Sequence, residues 1–160
     1  MPVRILVADD HEVVRQGVRT ILSARTDWEI CGEAVNGQEA VQLASDLKPD
    51  AIVMDITMPI MSGLEATRQI TKLKLSSPIL IFTMHESRSL SSSIQETGAR
   101  GFVFKSRAAR DLVEALEALL NGGTYFGLFD KKDENGKTDV SQNIKFFTAL
   151  TLGRRFAHIL

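Results

Sequence analysis

The sequence predicts an α/β protein built on a five-stranded parallel, doubly wound sheet that is flanked by five helices. Short apolar segments typical of buried strands alternate with segments whose apolar residues recur at helical spacing. The connections between these segments are short, which favours repeated βαβ units and therefore parallel strands. The strands are apolar almost throughout, which indicates that helices cover both faces of the sheet.

The first two strands and helices lie in the amino-terminal part of the chain. Val3–Ala8 predicts the first strand, and a helix is predicted over His11–Leu22. Trp28–Ala34 predicts the second strand, Asn36-Gly37 has turn chemistry, and Gln38–Leu47 predicts the second helix. The apolar stripe of the first helix consists of Val14, Val18, Ile21 and Leu22.

The middle of the chain repeats the pattern. Ala51–Met54 predicts the third strand, and Leu64–Leu73 predicts the helix that follows it. Ile79–Met84 predicts the fourth strand. Ser87–Thr97 predicts a weak fourth helix because its many serines are mediocre helix formers, and Gly98 suits the end of that helix.

The last strand and helix complete the sheet. Gly101–Phe104 predicts the fifth strand, and Ala108–Leu120 predicts a helix that ends at the Asn121-Gly122-Gly123 turn. Of the two common orders for such sheets, the flavodoxin-like order 2-1-3-4-5 suits five strands. Its switch point lies between strands one and three, where open α/β sheets bind their ligands.

Five polar residues stand at the carboxyl ends of four predicted strands. Asp9 and Asp10 follow the first strand, Asp55 follows the third, Thr83 closes the fourth and Lys105 follows the fifth. Each residue alone has an ordinary explanation as a helix cap, a strand residue or a surface charge. Because the predicted order brings these strand ends to one edge, the set together predicts a site.

The residue types indicate phosphoryl chemistry with a metal ion. Three clustered carboxylates repel one another unless a cation lies among them, and Mg²⁺ suits carboxylate oxygens while leaving room for phosphate oxygens. Asp55 would be the nucleophile that forms an aspartyl phosphate. The metal and Lys105 would stabilise charge on the phosphoryl group, and the Thr83 hydroxyl would donate a hydrogen bond to it.

Composition excludes several classes of protein. The 160 residues allow one domain with a sizeable core and a tail, and the net charge of −1 offers no global polycation for nucleic acid. The single cysteine, Cys31, excludes an intrachain disulfide and any multi-cysteine metal site, and we expect its thiol in the core. No signal peptide or membrane-spanning run is visible, so we expect a cytoplasmic protein.

Five longer stretches carry the site residues together with their flanking sequence. They are VADDHEVVRQGVRTIL (Val7–Leu22), GEAVNGQEAVQLA (Gly32–Ala44), PDAIVMDITMPIMSGLEAT (Pro49–Thr67), ILIFTMHES (Ile79–Ser87) and GARGFVFKS (Gly98–Ser106). In these stretches the chain resembles the response-regulator receiver domain of two-component signalling. With NGGTYF at Asn121–Phe126, it is most similar to the NarL/FixJ type, in which a LuxR-like DNA-binding domain follows.

The resemblance implies Mg²⁺ as cofactor and a sensor histidine kinase as phosphodonor. Asp55 is then the phosphoacceptor, and Asp10 and Asp55 bind the metal directly. The other implied roles are a water-mediated metal contact from Asp9, a metal contact from the backbone carbonyl of Thr57, phosphoryl contacts from Thr83 and Lys105, and a switch aromatic at Phe102.

Two classes of function remain open. The first is a signalling switch that catalyses only its own phosphoryl transfer and autodephosphorylation. The second is a Mg²⁺-dependent phosphohydrolase of small molecules on a similar fold, which needs a general acid just beyond the nucleophile. Thr57 occupies that place and is a poor general acid, so the sequence favours the switch.

The fourth helix is the predicted moving part. Phosphorylation is expected to bias residues 84–98 between two arrangements and so to change the surface of helix four, strand five and helix five. That surface is the expected site of a homodimer or another partner. His85 overlooks the site and is interpreted either as an exposed loop residue or as an influence on phosphate lifetime.

The carboxyl-terminal part is predicted to be separate from the receiver domain. We assign residues 1–125 to the receiver and 126–160 to a linker and an apolar tail, a truncated or atypical output segment. This tail contains no complete helix-turn-helix, so we expect no DNA binding by this chain. Docking on the receiver, pairing with a partner and a truncated remnant remain equal alternatives for the tail.

Overall fold

The structure, a computed structural model, describes residues 1–85 and 87–126. Residues Met1–Phe126 form one compact unit. Phe126, the first residue of the predicted linker and tail (126–160), is the last residue of β6, and residues 127–160 lie outside the described residues. The division into a receiver and a tail, and the expected absence of DNA binding, therefore stay predictions.

Six strands and five α-helices alternate along the described chain, and a short 3-10 helix, Lys105–Arg107, lies between the fifth strand and the fifth α-helix. The strands are β1 Val3–Ala8, β2 Trp28–Ala34, β3 Ala51–Asp55, β4 Ile79–Thr83, β5 Gly101–Phe104 and β6 Tyr125–Phe126. The helices are α1 Glu12–Leu22, α2 Gly37–Leu47, α3 Gly63–Lys72, α4 Arg88–Glu96 and α5 Ala108–Leu120. The predicted bounds differ from these mainly where capping residues had been included in a helix, as with Ser87 before α4.

The strands form one parallel sheet in the order β2-β1-β3-β4-β5-β6. The predicted order of the first five strands is confirmed, and β6 is an addition at the edge beside β5. Tyr125 N donates to Arg100 O at 2.9 Å, and Gly101 allows the close approach because a Cβ there would overlap the Tyr125 carbonyl. A strand of two residues is too short to leave a periodic signal in the sequence.

Helices cover both faces of the sheet. On one face, α1 and α5 pack on four strands, and the buried apolar residues there are Ile5, Val7, Val18, Leu22, Ala51, Val53, Leu80, Phe82, Val103, Leu112, Ala115, Leu116 and Leu119. Alternate strand residues point to the opposite face, as successive side chains in a strand do. Those buried residues include Leu6, Ile52, Met54, Ile81 and Phe102.

The fourth helix is the least anchored of the five. Ile94 is its only residue described as buried, Leu90 is partly buried, and the N-cap Ser87 makes no side-chain capping hydrogen bond. By contrast, α5 buries five residues against the sheet: Leu112, Ala115, Leu116, Ala118 and Leu119. The low burial of α4 agrees with the prediction of a weak helix.

Two further expectations concern burial and membranes. Cys31 is only partly buried, so the expectation of a core thiol is corrected. Its strand β2 lies at the sheet edge, and the β1–β2 register shifts between Ile5 and Leu6, where Cys31 is the unmatched residue. Within the described part of the chain, no helix has the length and apolar character needed to cross a membrane.

Candidate functional site

The predicted polar residues meet at the carboxyl-end edge of the sheet. Asp9 and Asp10 follow β1, Asp55 is the last residue of β3, Thr83 is the last residue of β4, and Lys105 follows β5. These strands are neighbours in the sheet, so their ends form one continuous edge. Parallel strands covered by helices leave this edge as the place where loops and polar groups can converge.

Lys105 joins two of the carboxylates directly. Its Nζ lies 2.7 Å from Asp9 Oδ2 and 3.1 Å from Asp55 Oδ1. The Lys105 side chain is 12% exposed, and the Asp9 and Asp55 side chains are 1% and 7% exposed. Because these charges are removed from water, their interaction is stronger than that of a surface ion pair.

The electrostatics of Asp55 combine burial and repulsion. Burial raises the pKa of the Asp55 carboxyl, and the neighbouring Asp9 carboxylate raises it further. Lys105 and the backbone N–H of Ile56, which donates to Asp55 Oδ1 at 2.8 Å, oppose this increase in the pKa. The protein's own groups therefore compensate the negative charge at Asp55 only in part.

The acid cluster can hold a hard cation. Asp9, Asp10, His11 and Asp55 each offer a ligand atom, and these atoms lie within 4.8 Å of one another. Asp10 Oδ1 is buried and makes no hydrogen bond to the described residues. A buried carboxylate oxygen without a donor is costly, and a bound Mg²⁺ would offset that cost. The donor set and this oxygen, which accepts no hydrogen bond, thus fit the metal that the resemblance implies.

Asp9 and Asp10 differ in how their oxygens are used. Asp9 Oδ1 accepts from His11 N at 2.9 Å, and its Oδ2 is paired with Lys105 without the geometry of a hydrogen bond. The Asp10 side chain is 27% exposed, and its Oδ1 lies 3.1 Å from His11 Nδ1. Asp10 is therefore the more available of the two carboxylates for a direct metal contact.

Thr83 presents its hydroxyl at the same edge. The Thr83 side chain is buried, and its Oγ1 accepts a hydrogen bond from His85 N at 3.1 Å. Since the oxygen accepts from the backbone, the hydroxyl hydrogen stays available as a donor. His85 itself is exposed, and its backbone N–H is the group that contacts Thr83.

Two glycines hold the loop after Asp55 through backbone hydrogen bonds and close packing. Gly63 N donates to Ile56 O at 2.8 Å, and a Cβ on Gly63 would overlap the Asp55 carbonyl oxygen. Gly37 N donates to Met61 O at 3.0 Å, and a Cβ there would overlap the Met61 carbonyl. The first residues of α2 and α3 thus hold the loop that carries the exposed Thr57.

Two residues near the site were not predicted from the sequence: His11, the N-cap of α1, and Arg15 within α1. His11 is 66% exposed, yet its ring lies beside both Asp9 and Asp10. Arg15 is buried and donates from Nη1 to the Asp9 backbone carbonyl at 2.7 Å. A signal for Arg15 was present, because it precedes Val18 and Leu22 at core-facing helical spacing, where a charge is unusual.

Phe102 lies in an aromatic group behind the edge. Its ring is 5.6 Å from that of Phe104 and 6.2 Å from that of Phe126 in β6, and the residue is 1% exposed. Phe102 pairs with Ile81 in β4, two residues before Thr83. The predicted switch position therefore lies on the strand next to β4, with its ring beside that of Phe126, the last residue of β6.

Comparison with known proteins supports the resemblance to receiver domains. A family model described as the response regulator receiver domain matches residues 5–117. Transcriptional regulatory protein YdfI of Bacillus subtilis (strain 168) is 41% identical over 119 residues, covering 74% of this chain and 55% of the relative. Transcriptional regulatory protein DegU of Brevibacillus brevis is 34% identical over 123 residues, covering 77% and 52%.

A solved structure of a response regulator also matches this chain. The crystal structure of a two-component response regulator of the LuxR family from Aurantimonas sp. SI85-9A1 matches with a TM-score of 0.75 and 39% identity, covering 79% of this chain and 90% of that chain. The present chain spans about half the length of the curated relatives it matches. The matched range, residues 5–117, spans the positions of Asp9, Asp10, Asp55, Thr83 and Lys105. The chain belongs to the response regulator receiver family, and the relatives it matches include transcriptional regulatory proteins and a response regulator of the LuxR family.

Proposed function

We propose that Asp55 accepts a phosphoryl group from a sensor histidine kinase and that this modification switches the protein's output. The observation that carries the proposal is Lys105, whose ammonium lies within ion-pair distance of both Asp9 and Asp55. A buried carboxylate between a lysine and an acid cluster suits a nucleophile whose product gains negative charge. Membership of the receiver family supports the same chemistry.

The arrangement of Asp55 indicates which oxygen attacks. Both polar contacts of Asp55 with the described residues fall on Oδ1, from Ile56 N and Lys105 Nζ. We therefore assign Oδ2 as the nucleophile. As its bond to phosphorus forms, the phosphorus–nitrogen bond of the donor phosphohistidine breaks, and the imidazole leaves with the electron pair. Lys105 is placed to contact a phosphoryl oxygen of the product.

Asp10, Asp55 and the backbone carbonyl of Thr57 would hold Mg²⁺ directly, with Asp9 acting through water. Asp10 Oδ1, which is buried and accepts no hydrogen bond among the described residues, supports the direct contact. The engagement of Asp9 by Lys105 and by His11 N supports the water-mediated contact. When bound, the ion would neutralise charge on the transferred phosphoryl oxygens.

Thr83 and Phe102 would transmit the modification. The Thr83 hydroxyl, which accepts from His85 N, would donate to a phosphoryl oxygen and move toward Asp55. Such a movement would pull on the start of α4 and leave space that the Phe102 ring can occupy. Residues 84–98 would then shift between two arrangements, because α4 is held by little buried surface.

The protein would act as a switch that turns over only its own phosphoryl group, by autodephosphorylation. The small-molecule phosphohydrolase considered above lacks support, since Thr57 stands where a general acid would be needed. The proposed setting is the cytoplasm. Control of transcription in the longer relatives suggests the output, and α4, β5 and α5 offer the surface for a homodimer.

The test of this proposal is intact-protein mass spectrometry after incubation with acetyl phosphate and Mg²⁺. The unaltered chain should gain one phosphoryl group, and Asp55→Asn should gain none. Asp46→Asn is a matched control because Asp46 is an exposed carboxylate on α2 with Gln42 as its partner. Full phosphorylation of Asp55→Asn, or turnover of a generic phosphoester by the unaltered chain, would overturn the proposal.

A further inference from the structure

The first half of α1 contains a buried cation that none of the roles above uses. The Arg15 side chain is 10% exposed and occupies the core-facing side of the helix with Val18 and Leu22. A buried guanidinium lowers stability unless its donors are matched by acceptors. The acceptors that Arg15 contacts therefore indicate its structural role.

Arg15 connects three parts of the fold. Its Nε donates to Glu33 Oε1 in β2 at 3.0 Å, and its Nη2 pairs with Glu12 in the first turn of α1. Its Nη1 donates to the backbone carbonyl of Asp9 at 2.7 Å, in a buried position. The guanidinium thus fixes the backbone of the β1–α1 loop from the helix side.

The same loop carries the acids of the site. Asp9 N donates to Ala34 O at 3.0 Å, and Arg15 N donates to His11 O at 3.1 Å. The Arg15–Asp9 hydrogen bond completes this set and is made by a charged donor, which makes it stronger than a neutral one. Without it, repulsion among the carboxylates of Asp9, Asp10 and Asp55 would favour a wider separation of Asp10 from Asp55.

We propose that Arg15 is a positioning residue for the acid cluster: its hydrogen bond to the Asp9 carbonyl keeps Asp10 close enough to Asp55 for both to bind one Mg²⁺ ion. In this arrangement Arg15 acts through the Asp9 backbone carbonyl and would contact neither the ion nor the phosphoryl group. This inference rests on the proposed function for its metal role. Its effect on the loop is independent of that function.

Arg19 provides a matched control within the same network. Arg19 pairs with Glu33 Oε1 and with Glu12, the two acids that also pair with Arg15. Its side chain is 36% exposed, and it makes no hydrogen bond to Asp9 among the described residues. Replacing Arg19 by Gln therefore removes a cation from these acids and leaves the Arg15–Asp9 hydrogen bond in place.

The test compares Mg²⁺ binding to the unaltered chain, Arg15→Gln, Arg15→Lys and Arg19→Gln by calorimetry. Arg15→Gln should weaken Mg²⁺ binding roughly tenfold, the order expected when a hydrogen bond from a charged donor is lost. Arg15→Lys keeps one donor and should recover part of the affinity, and Arg19→Gln should stay near the unaltered chain. With acetyl phosphate, Arg15→Gln should need more Mg²⁺ and reach a near-normal rate at saturation.

If Arg15 acted through its charge alone, Arg15→Gln would change the Mg²⁺ affinity in the opposite direction. Removing a positive charge near the acids would strengthen the attraction for Mg²⁺, so tighter binding by Arg15→Gln overturns the proposal. Equal weakening in Arg15→Gln and Arg19→Gln also overturns it, because the ion-pair network would then be responsible. Thermal melting identifies a variant that fails to fold, and Arg15→Lys then carries the comparison with Arg19→Gln.

Hydrogen exchange of the metal-free protein separates this inference from the proposed function. His11 N is bonded to Asp9 Oδ1, so its amide should exchange faster in Arg15→Gln than in Arg19→Gln. Failure of the unaltered chain to bind Mg²⁺ would overturn the proposed function and the metal role of Arg15. Unchanged exchange at His11 in Arg15→Gln would overturn the positioning of the loop, whatever the metal does.

Discussion

Asp55 is the residue in which burial, charge and reactivity meet. Its carboxyl is removed from water and lies near the Asp9 carboxylate, and both effects favour the protonated form. Lys105 and Ile56 N stabilise the ionised form and keep the group usable as a nucleophile. A bound divalent cation would add the positive charge that the protein itself does not supply.

The raised pKa of Asp55 predicts that, in the absence of metal, the free energy of unfolding falls as the pH rises. A carboxyl whose pKa is higher in the folded state binds its proton more tightly there than in the unfolded chain. The stability that it contributes is present below the ordinary carboxyl pKa of about 4 and is lost as the pH rises through the raised value. In urea denaturation with a chelator, Asp55→Asn should therefore gain free energy of unfolding relative to the unaltered chain as the pH rises. Saturating Mg²⁺ should reduce that gain, and a gain that grows toward acid pH would contradict the raised pKa.

Ile60 predicts a stabilising substitution close to the site. It has a φ of 71° and is 78% exposed, so a β-branched residue adopts a left-handed conformation with little burial in return. Glycine relieves a strain of about 1–3 kcal/mol and loses about 0.5–1 kcal/mol through its greater freedom when unfolded. Ile60→Gly should raise the free energy of unfolding by about 1 kcal/mol. Ile60→Ala, which keeps a Cβ, is the control and should gain less; equal gains would show that backbone strain is not the cause.

At the scale of elements, α4 and α5 form a contrast. Both flank β5, but α5 buries five residues against the sheet, whereas Ile94 is the one residue of α4 described as buried. Elements with few buried contacts open locally at a lower free energy than the rest of the fold. The chain therefore has a loosely held helix directly after Thr83 and a firmly held helix after Lys105.

This contrast predicts where exchange changes on activation. Amides in residues 84–98 should exchange faster than those in residues 108–120 in the free protein, because α4 is less buried. Acetyl phosphate with Mg²⁺ should change exchange most in residues 84–98. Asp55→Asn treated in the same way is the control. Equal protection of the two helices, with no response to the phosphodonor, would refute the proposed switching segment.

Across the whole molecule, the sequence predicted features that repeat along the chain. The order of the first five strands and the meeting of Asp9, Asp55 and Lys105 followed from apolar periodicity and from the geometry of parallel strands. The missed features depend on contacts between distant residues. Arg15 meets Glu33 across two elements, and β6 forms because Gly101 admits a neighbouring backbone, which no local pattern records.

The central claim is that one carboxylate, Asp55, forms the phosphorylated product in a Mg²⁺-dependent reaction. Borohydride reduces an acyl phosphate to the alcohol, so a phosphorylated aspartate becomes homoserine and can be located by peptide mass spectrometry. After treatment with acetyl phosphate and Mg²⁺, homoserine should appear at position 55 and be absent when a chelator is present. Homoserine at position 9 or 10, or an equal yield at position 55 without Mg²⁺, would contradict the account.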